Sequence, residues 1–213
     1  MRTIVAGALA VCVVAAASGC YPDEIDSVSD LSSIITLVDT STPPLHTART
    51  FAMPDTVIHS LRAQGAGVIG HDGDAQVLAR IRGHFLQLGW REITDVTVER
   101  PDVVVLVGVF EQTNTGVAYT GWWGDWGYWP GWPAYGPDWT WGAPVGAVEF
   151  TFESGTLAMV MLDLRNGNTT LKEVPILWAG AIQGVLAAST SNLDRALRGI
   201  DQAFVQSPYL ERP

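Results

Sequence analysis

Cysteine is almost missing from this chain. Two occur in 213 residues, Cys12 and Cys20. Cys12 lies inside "IVAGALAVCVVAAA" (Ile4 to Ala17), an apolar run preceded by Arg2 and followed at once by polar sequence. A run this short with those flanks reads as a secretory signal, not a membrane span. With residues 1–19 removed as the leader, Cys20 is the sole cysteine, so neither an intramolecular disulfide nor a free thiol nucleophile is expected. Positive charge is scarce as well. Twelve Lys and Arg stand against 22 Asp and Glu, for a net charge of −10, and none of the basic residues falls between Arg100 and Arg165. Losing Arg2 with the leader makes the balance one unit more negative. Such a surface argues against nucleic acid and anionic headgroups as partners.

The signatures of known chemistry are thin too. No G-x-S-x-G and no H-E-x-x-H occurs, and His46, His59 and His84 are scattered. "HDGD" (His71 to Asp74) offers three ligand types, but Asp72 and Asp74 read better as caps of the helix that follows. "GAGVIG" (Gly65 to Gly70) has the letters of a dinucleotide loop without the preceding strand and opening helix that such a loop needs. Nucleotide, metal and cofactor are therefore not expected. Glu149 and Glu153, four apart on an expected strand, share a face as a glycosidase pair would, yet neighbouring strand carboxylates are usually solvated. The chain carries no catalytic constellation to build on, and a non-enzymatic role is the expectation.

What is present begins at the leader's end. "AASGC" resembles the bacterial lipobox, in which small residues precede a cysteine that is acylated and becomes the new N-terminus; Ala17 stands where leucine is usual. Several acyl chains at about 0.8 kcal/mol per buried methylene would hold Cys20 at a membrane without a protein span. Tyr21 follows the cysteine, not the aspartate that favours inner-membrane retention, which directs the expectation to the outer membrane, facing the periplasm. Residues 20–46 read as lipidated cysteine and tether, and 47–210 as one domain large enough to bury a core.

Within that domain "TARTFAMP" (47–54) reads as a first strand. A helix follows from Asp72 or Asp74 to about Leu88, with Val77, Leu78, Ile81, Phe85 and Leu88 as its apolar stripe and Gly89 in the C′ position. Gly83, inside it, suggests close packing. "WREITDVTVE" and "PDVVVLVGVFEQTNTGVAYT" read as a short and a long strand. "AVEFTFESGTLAMVMLDL" and "TTLKEVPILWAGAIQGVL" read as a hairpin about "RNGN". A last helix opens with a Ser191/Asp194 capping box, repeats Leu193, Ala196, Leu197, Ile200 and Phe204 at helical spacing, and stops at Pro208. The economical fold is α+β: a two-layer sandwich with an antiparallel sheet of four to five strands and two helices on one face. In "TLAMVMLDL", however, both alternating sets are apolar, so the face away from the helices needs a cover too.

Between the strands lies "GWWGDWGYWPGWPAYGPDWTW" (Gly121 to Trp141), with seven of the nine tryptophans, in a Trp/Gly/Pro-rich insertion over 120–147. Gly or Pro opens six successive triplets from Gly121 to Gly136, and Trp123, Trp126, Trp129, Trp132 and Tyr135 close five of them, with Trp141 beyond. Such composition forbids a helix. Polyproline II geometry would line these rings along one edge about 9 Å apart. Three readings stand: a strap covering the open sheet face; an exposed platform stacking on sugars, with Asp125, Asp138, Tyr128 and Tyr135 bonding hydroxyls; or a surface for an envelope protein or membrane interface.

Taken in order, the lipobox, "TARTFAMP", "LGWREI", "PDVVVLVGVF", the aromatic segment, "GTLAMVMLDLRNGNTTLKEVPILWAGAIQGVL" and "IDQAFVQSPY" resemble a bacterial lipoprotein family, domain of unknown function 4136. The telling positions are Gly155-Thr156-Leu157, Asp163, Trp178 and Gly180. Family members often carry Val-Trp-Arg-Gly where this chain has Leu177-Trp178-Ala179-Gly180, so any role of that arginine is absent. The resemblance implies an envelope lipoprotein with an α+β domain and an aromatic-rich insertion as a family trait, with no catalytic residues to carry over.

Overall fold

Helix α1 (Pro44–Thr47) leads into strand β2 (Thr50–Ala52), and the first strand of all, β1, is Ile34–Val38. The computed structural model describes residues 34–38, 44–59, 73–110, 114–115, 140–142, 151–152, 155–185 and 192–213. The remaining strands are β3 (Ile58–His59), β4 (Arg91–Glu92), β5 (Val103–Phe110), β6 (Asn114–Thr115), β7 (Thr140–Gly142), β8 (Thr151–Phe152), β9 (Thr156–Asp163) and β10 (Glu173–Ile182). The long helices are α2 (Asp74–Gln87) and α3 (Asn192–Val205), and a 3-10 turn, Pro208–Leu210, follows α3.

The periodic stripe of α2 is its buried face: Val77, Leu78, Ile81 and Phe85. Gly89 sits just past the helix at φ 83°, a conformation glycine adopts without strain, and the backbone N–H groups of Leu88 and Gly89 bond back to His84 and Leu86. The N-terminus differs from expectation. Gly73 is the cap and gives no side-chain bond, while the Asp74 carboxylate lies 2.9 Å from His59 Nε2, tying α2 to β3. Helix α3 buries Ala196, Ile200 and Phe204 as its spacing predicts; Leu193 and Leu197 are only partly buried against the core.

The sheet is open and mostly antiparallel, in the order β1-β10-β9-β5-β2-β4, with β3 also on β5 and β7 on β10. Its eight strand segments exceed the four to five expected, and four of its pairings are parallel. Strands β2 and β4 run parallel, and so do β2 and β5, because α2 carries the chain from β2 back to the end of the sheet where β2 began. Strand β1 was not expected at all. Residues read as tether up to 46 already supply an edge strand, with Ile34 opposite Ile182 and Val38 opposite Trp178.

The core lies between the two helices and one face of the sheet. That face presents Val103, Val105, Val107 and Val109 from β5, Leu157, Met159 and Met161 from β9, and Trp178 and Ile182 from β10. Trp178 is fully buried at the centre, edge-on to Phe85 with 6.3 Å between centroids. Its indole N–H donates to Ser207 Oγ at 3.0 Å, which joins the sheet to the turn after α3. Gly180 lies under that indole: a Cβ there would meet Met159 Cε at 2.8 Å and the Trp178 ring at 3.1 Å. The Trp-x-Gly spacing is thus a ring and the space it occupies. The opposite face carries Val104, Leu106, Ala158, Val160 and Leu162, all buried as well.

The β9–β10 hairpin exists, but its turn is not the Asn166-Gly167 pair. Asp163, fully buried, accepts from the Arg165 N–H and side chain and from Asn166 Nδ2. Asn168 then pairs with Glu173 and caps the backbone of Thr170 and Leu171, and the positive φ falls on Lys172. Side-chain acceptors, not the Asn-Gly dipeptide, set the reversal.

Candidate functional site

Two places in the described body concentrate polar chemistry. The first is an open groove of roughly 690 Å³ on the outer surface between α2 and α3, lined by Gln76, Ala79, Arg80, Gly83, His84 and Gln87 from one helix and Leu197 and Asp201 from the other. Ala79 and Gly83, four apart, keep the α2 wall low. A Cβ at Gly83 would meet nothing within 4 Å, so this glycine faces open space and does not mark close packing. Asp201 accepts from His84 Nε2 at 2.7 Å and from Arg80 Nη1 at 2.9 and 3.1 Å. Burial opposes ionisation of Asp201, but the His84 and Arg80 donors outweigh it and hold the carboxyl below its usual range. An ionised carboxylate only accepts, so the proton in the His84 contact sits on Nε2. The imidazole is further fixed by stacking on Phe204, with centroids 4.5 Å apart. Imidazole, carboxylate and guanidinium are thus locked to one another, while Gln76 and Gln87 bring amides to the same groove.

The second place is a corner where three arginines gather. Arg212 lies over the Trp90 ring with its guanidinium carbon 4.0 Å from the centroid, and Trp90 Nε1 donates to the Leu210 carbonyl at 2.8 Å. Arg212 is buried, and its Nε and Nη2 have no hydrogen-bond partner. Burial, with lesser repulsion from Arg49 and Arg165, pushes its pKa down to about 10. Arg165 is held by Asp163 and by Thr47 Oγ1 at 2.9 Å. Beside them Asp102 accepts the Arg49 and Thr50 N–H groups at 2.7 and 3.0 Å while its own N–H donates to Thr50 Oγ1. Those donors hold the Asp102 carboxyl below its ordinary value against the opposing effect of burial.

Cys20, Trp123, Trp126, Trp129, Trp132, Tyr135, His71, Asp72, Glu149 and Glu153 lie outside the described residues, as do Gly65 to Gly70 and Ser191. Trp141 is placed only by its backbone, opposite Val174 in the β7–β10 pairing. Of the "HDGD" cluster, Asp74 is engaged with His59. Among the described residues no three His, Cys, Asp or Glu side chains converge as a metal set. Neither the groove nor the corner was legible beforehand, since Arg80 and Asp201 stand 121 residues apart.

An open, mostly antiparallel sheet with two long helices packed on it, and an indole over a glycine at its centre, defines a mixed α and β domain of a recognisable kind. The chain belongs to the family described as domain of unknown function (DUF4136), whose profile matches residues 36–209. Among solved structures it is similar to a DUF4136 family protein from Bacteroides thetaiotaomicron, at 23% identity and a TM-score of 0.62, covering 84% of this chain and 97% of that one. It also matches a PelC dodecamer from Paraburkholderia phytofirmans at 10% identity and a TM-score of 0.41, covering 86% and 100%. No curated protein matches.

Within the family signature four positions acquire a physical reason. Gly155 has φ 84°, Asp163 organises the turn, and Trp178 needs Gly180 beneath it. Ala179, where relatives often carry arginine, belongs to the sheet face away from the helices.

Proposed function

We propose that this chain is a lipid-anchored envelope protein, processed at Cys20 and held at the periplasmic side of the outer membrane, with a structural or interaction role and not a catalytic one. The observation that carries the reading is the short interval between the acylation site and the fold. Cys20 precedes Ile34, the first residue of β1, by fourteen positions, and fourteen extended residues reach about 50 Å at most. The body is thereby confined to a shell beside the bilayer. In this reading it is a two-layer α+β sandwich carrying the aromatic insertion, and its partner is the membrane through the lipid together with an envelope component. Labelling with a palmitate analogue tests it: the wild-type chain takes up label and fractionates with membranes, and Cys20→Ala does neither. Equal labelling of both chains overturns the anchor.

The in-register spacing of Trp123, Trp126, Trp129 and Trp132 supports a second reading, a carbohydrate- or peptidoglycan-binding module. Its test is glycan binding that is lost in the Trp126→Ala, Trp129→Ala double variant while the fold persists.

A further inference from the structure

The two edges of the sheet are built differently. At one side β4 is two residues long and both are charged, Arg91 and Glu92, which blunts an edge against further pairing. At the other side β1 runs Ile34-Ile35-Thr36-Leu37-Val38, with no charge, proline or glycine. All five residues pair with β10 in unbroken register, from Ile34 opposite Ile182 to Val38 opposite Trp178. In an antiparallel strand alternate residues turn their N–H and C=O groups to opposite sides, so half of the β1 backbone points outward. Among the described residues no strand takes up that outer edge, and none of the five side chains is buried, with Ile35 36% exposed. A chain of net charge −10 thus ends its sheet in an uncharged, half-exposed strip.

The strip is its own complement. In either direction it reads apolar, apolar, threonine, apolar, apolar. Antiparallel pairing about Thr36 sets Ile34 opposite Val38, Ile35 opposite Leu37 and Thr36 opposite its own copy, each a favourable cross-strand pair. Ile34 and Val38 pack against the helix-side core, and a two-fold axis normal to the sheet keeps that side common to both copies.

Helix α3 favours a whole second copy over a lone strand. It lies over β10 and β1, with Gly199 against Ile182 and Ile34 and Val38 packed on the same apolar cluster. Centred on that strand pair, its axis stands about 4.8 Å from the two-fold, which brings two copies of α3 to about 10 Å, the spacing of packed helices. Leu197 and Asp201 line the groove toward α2. At about 100° per residue Gln202 and Gln206 fall on the other flank, together with Arg195, which is buried and donates to the Gly184 carbonyl. None of these three is a carboxylate, so the flanks meet without like-charge repulsion between acidic chains.

We propose that β1 is the dimerisation strand of this chain: a second copy pairs its own β1 antiparallel about Thr36, the sheet runs continuously through both copies, and α3 packs on its twin.

The full chain carrying Cys12→Ser and Cys20→Ala, purified in nonionic detergent, tests this; it has no other cysteine. Sedimentation equilibrium is expected to show a concentration-dependent dimer, because an interface of this size belongs to the weak class. Added singly, Thr36→Cys, Ile34→Cys and Val38→Cys place a thiol on the same strand and the same face. On mild oxidation Thr36→Cys is expected to cross-link at least about tenfold faster than either of the others. The axis brings copies of residue 36 within about 5.5 Å, whereas copies of residue 34 or 38 stand about 14 Å apart, beyond disulfide reach. Ile34→Cys and Val38→Cys chains, mixed, should cross-link to each other. Ile35→Lys, at an exposed position, is expected to weaken the dimer at least about tenfold, and Val98→Lys, 82% exposed, to leave it unchanged. A single-chain mass up to about 1 mM, equal cross-linking at 34, 36 and 38, or a dimer indifferent to Ile35→Lys overturns the proposal.

Discussion

Two helical glycines make opposite predictions for the same substitution. At Gly199 in α3, a Cβ would stand 2.4 Å from Ile182 Cγ2, with Cγ1 and Cδ1 at 3.1 and 3.2 Å. Ile182 is fully buried, β-branched and fixed in β10 between β1 and β9, so it cannot swing aside. Alanine at 199 gains about 1 kcal/mol of helix propensity and loses about 2–3 to overpacking. The net for Gly199→Ala is a destabilisation of about 1–2 kcal/mol, or a Tm lower by roughly 2–8 °C for a domain this size. At Gly83 in α2 nothing lies within 4 Å of the added methyl, so Gly83→Ala keeps the propensity gain and raises stability by about 0.5–1 kcal/mol. Urea and thermal unfolding of the two variants measure both signs. Ile182→Ala in the Gly199→Ala background removes the obstructing atoms, so the double variant should lose less than the two single losses combined. Gly199→Ala at or above wild-type stability would refute the contact between α3 and Ile182, and Gly83→Ala below wild type would refute the open space beside Gly83.

Further outcomes follow from buried polar groups. Ser207→Ala leaves the Trp178 indole N–H without its acceptor in the core and should cost about 1–3 kcal/mol by chemical denaturation. Asp163→Ala strands Arg165 and Asn166 at the β9–β10 turn; a loss of at least about 2 kcal/mol is expected, and a neutral result would deny that turn its organiser. The Asp102 carboxyl is depressed in the fold, so its contribution is present above the ordinary carboxylate value and is lost as pH falls through its folded pKa. Acid titration of stability should therefore be shallower in Asp102→Asn than in wild type. For Arg212, burial disfavours the charge, and Arg212→Met is expected within about 1 kcal/mol of wild type despite losing the contact with Trp90.

The helices were legible because burial on one face writes itself as a 3.6-residue repeat: Val77, Leu78, Ile81 and Phe85 are all interior. The double apolar alternation of β9 likewise announced a strand buried on both faces, and every residue from Thr156 to Asp163 is. Pairing partners left no such trace. Whether β2 joins β4 and β5 in parallel depends on where α2 delivers the chain, and a strand of three residues has too little pattern to say. Ile34–Val38 looked like tether because five residues among serines and aspartates do not declare an edge strand. The sequence suggests a close contact at Gly83 and gives no sign of the one at Gly199, since a glycine's neighbour across two elements is invisible in a linear sequence. The groove and the arginine corner join residues from opposite ends of the chain, Arg80 to Asp201 and Arg212 to Trp90, for the same reason.

The account rests on attachment at Cys20, and the intact mass of the protein extracted from outer-membrane fractions tests that most directly. The predicted mass is that of residues 20–213 plus the acyl-bearing modification on Cys20. A chain that retains residues 1–19, or one that begins at another residue without lipid, contradicts it.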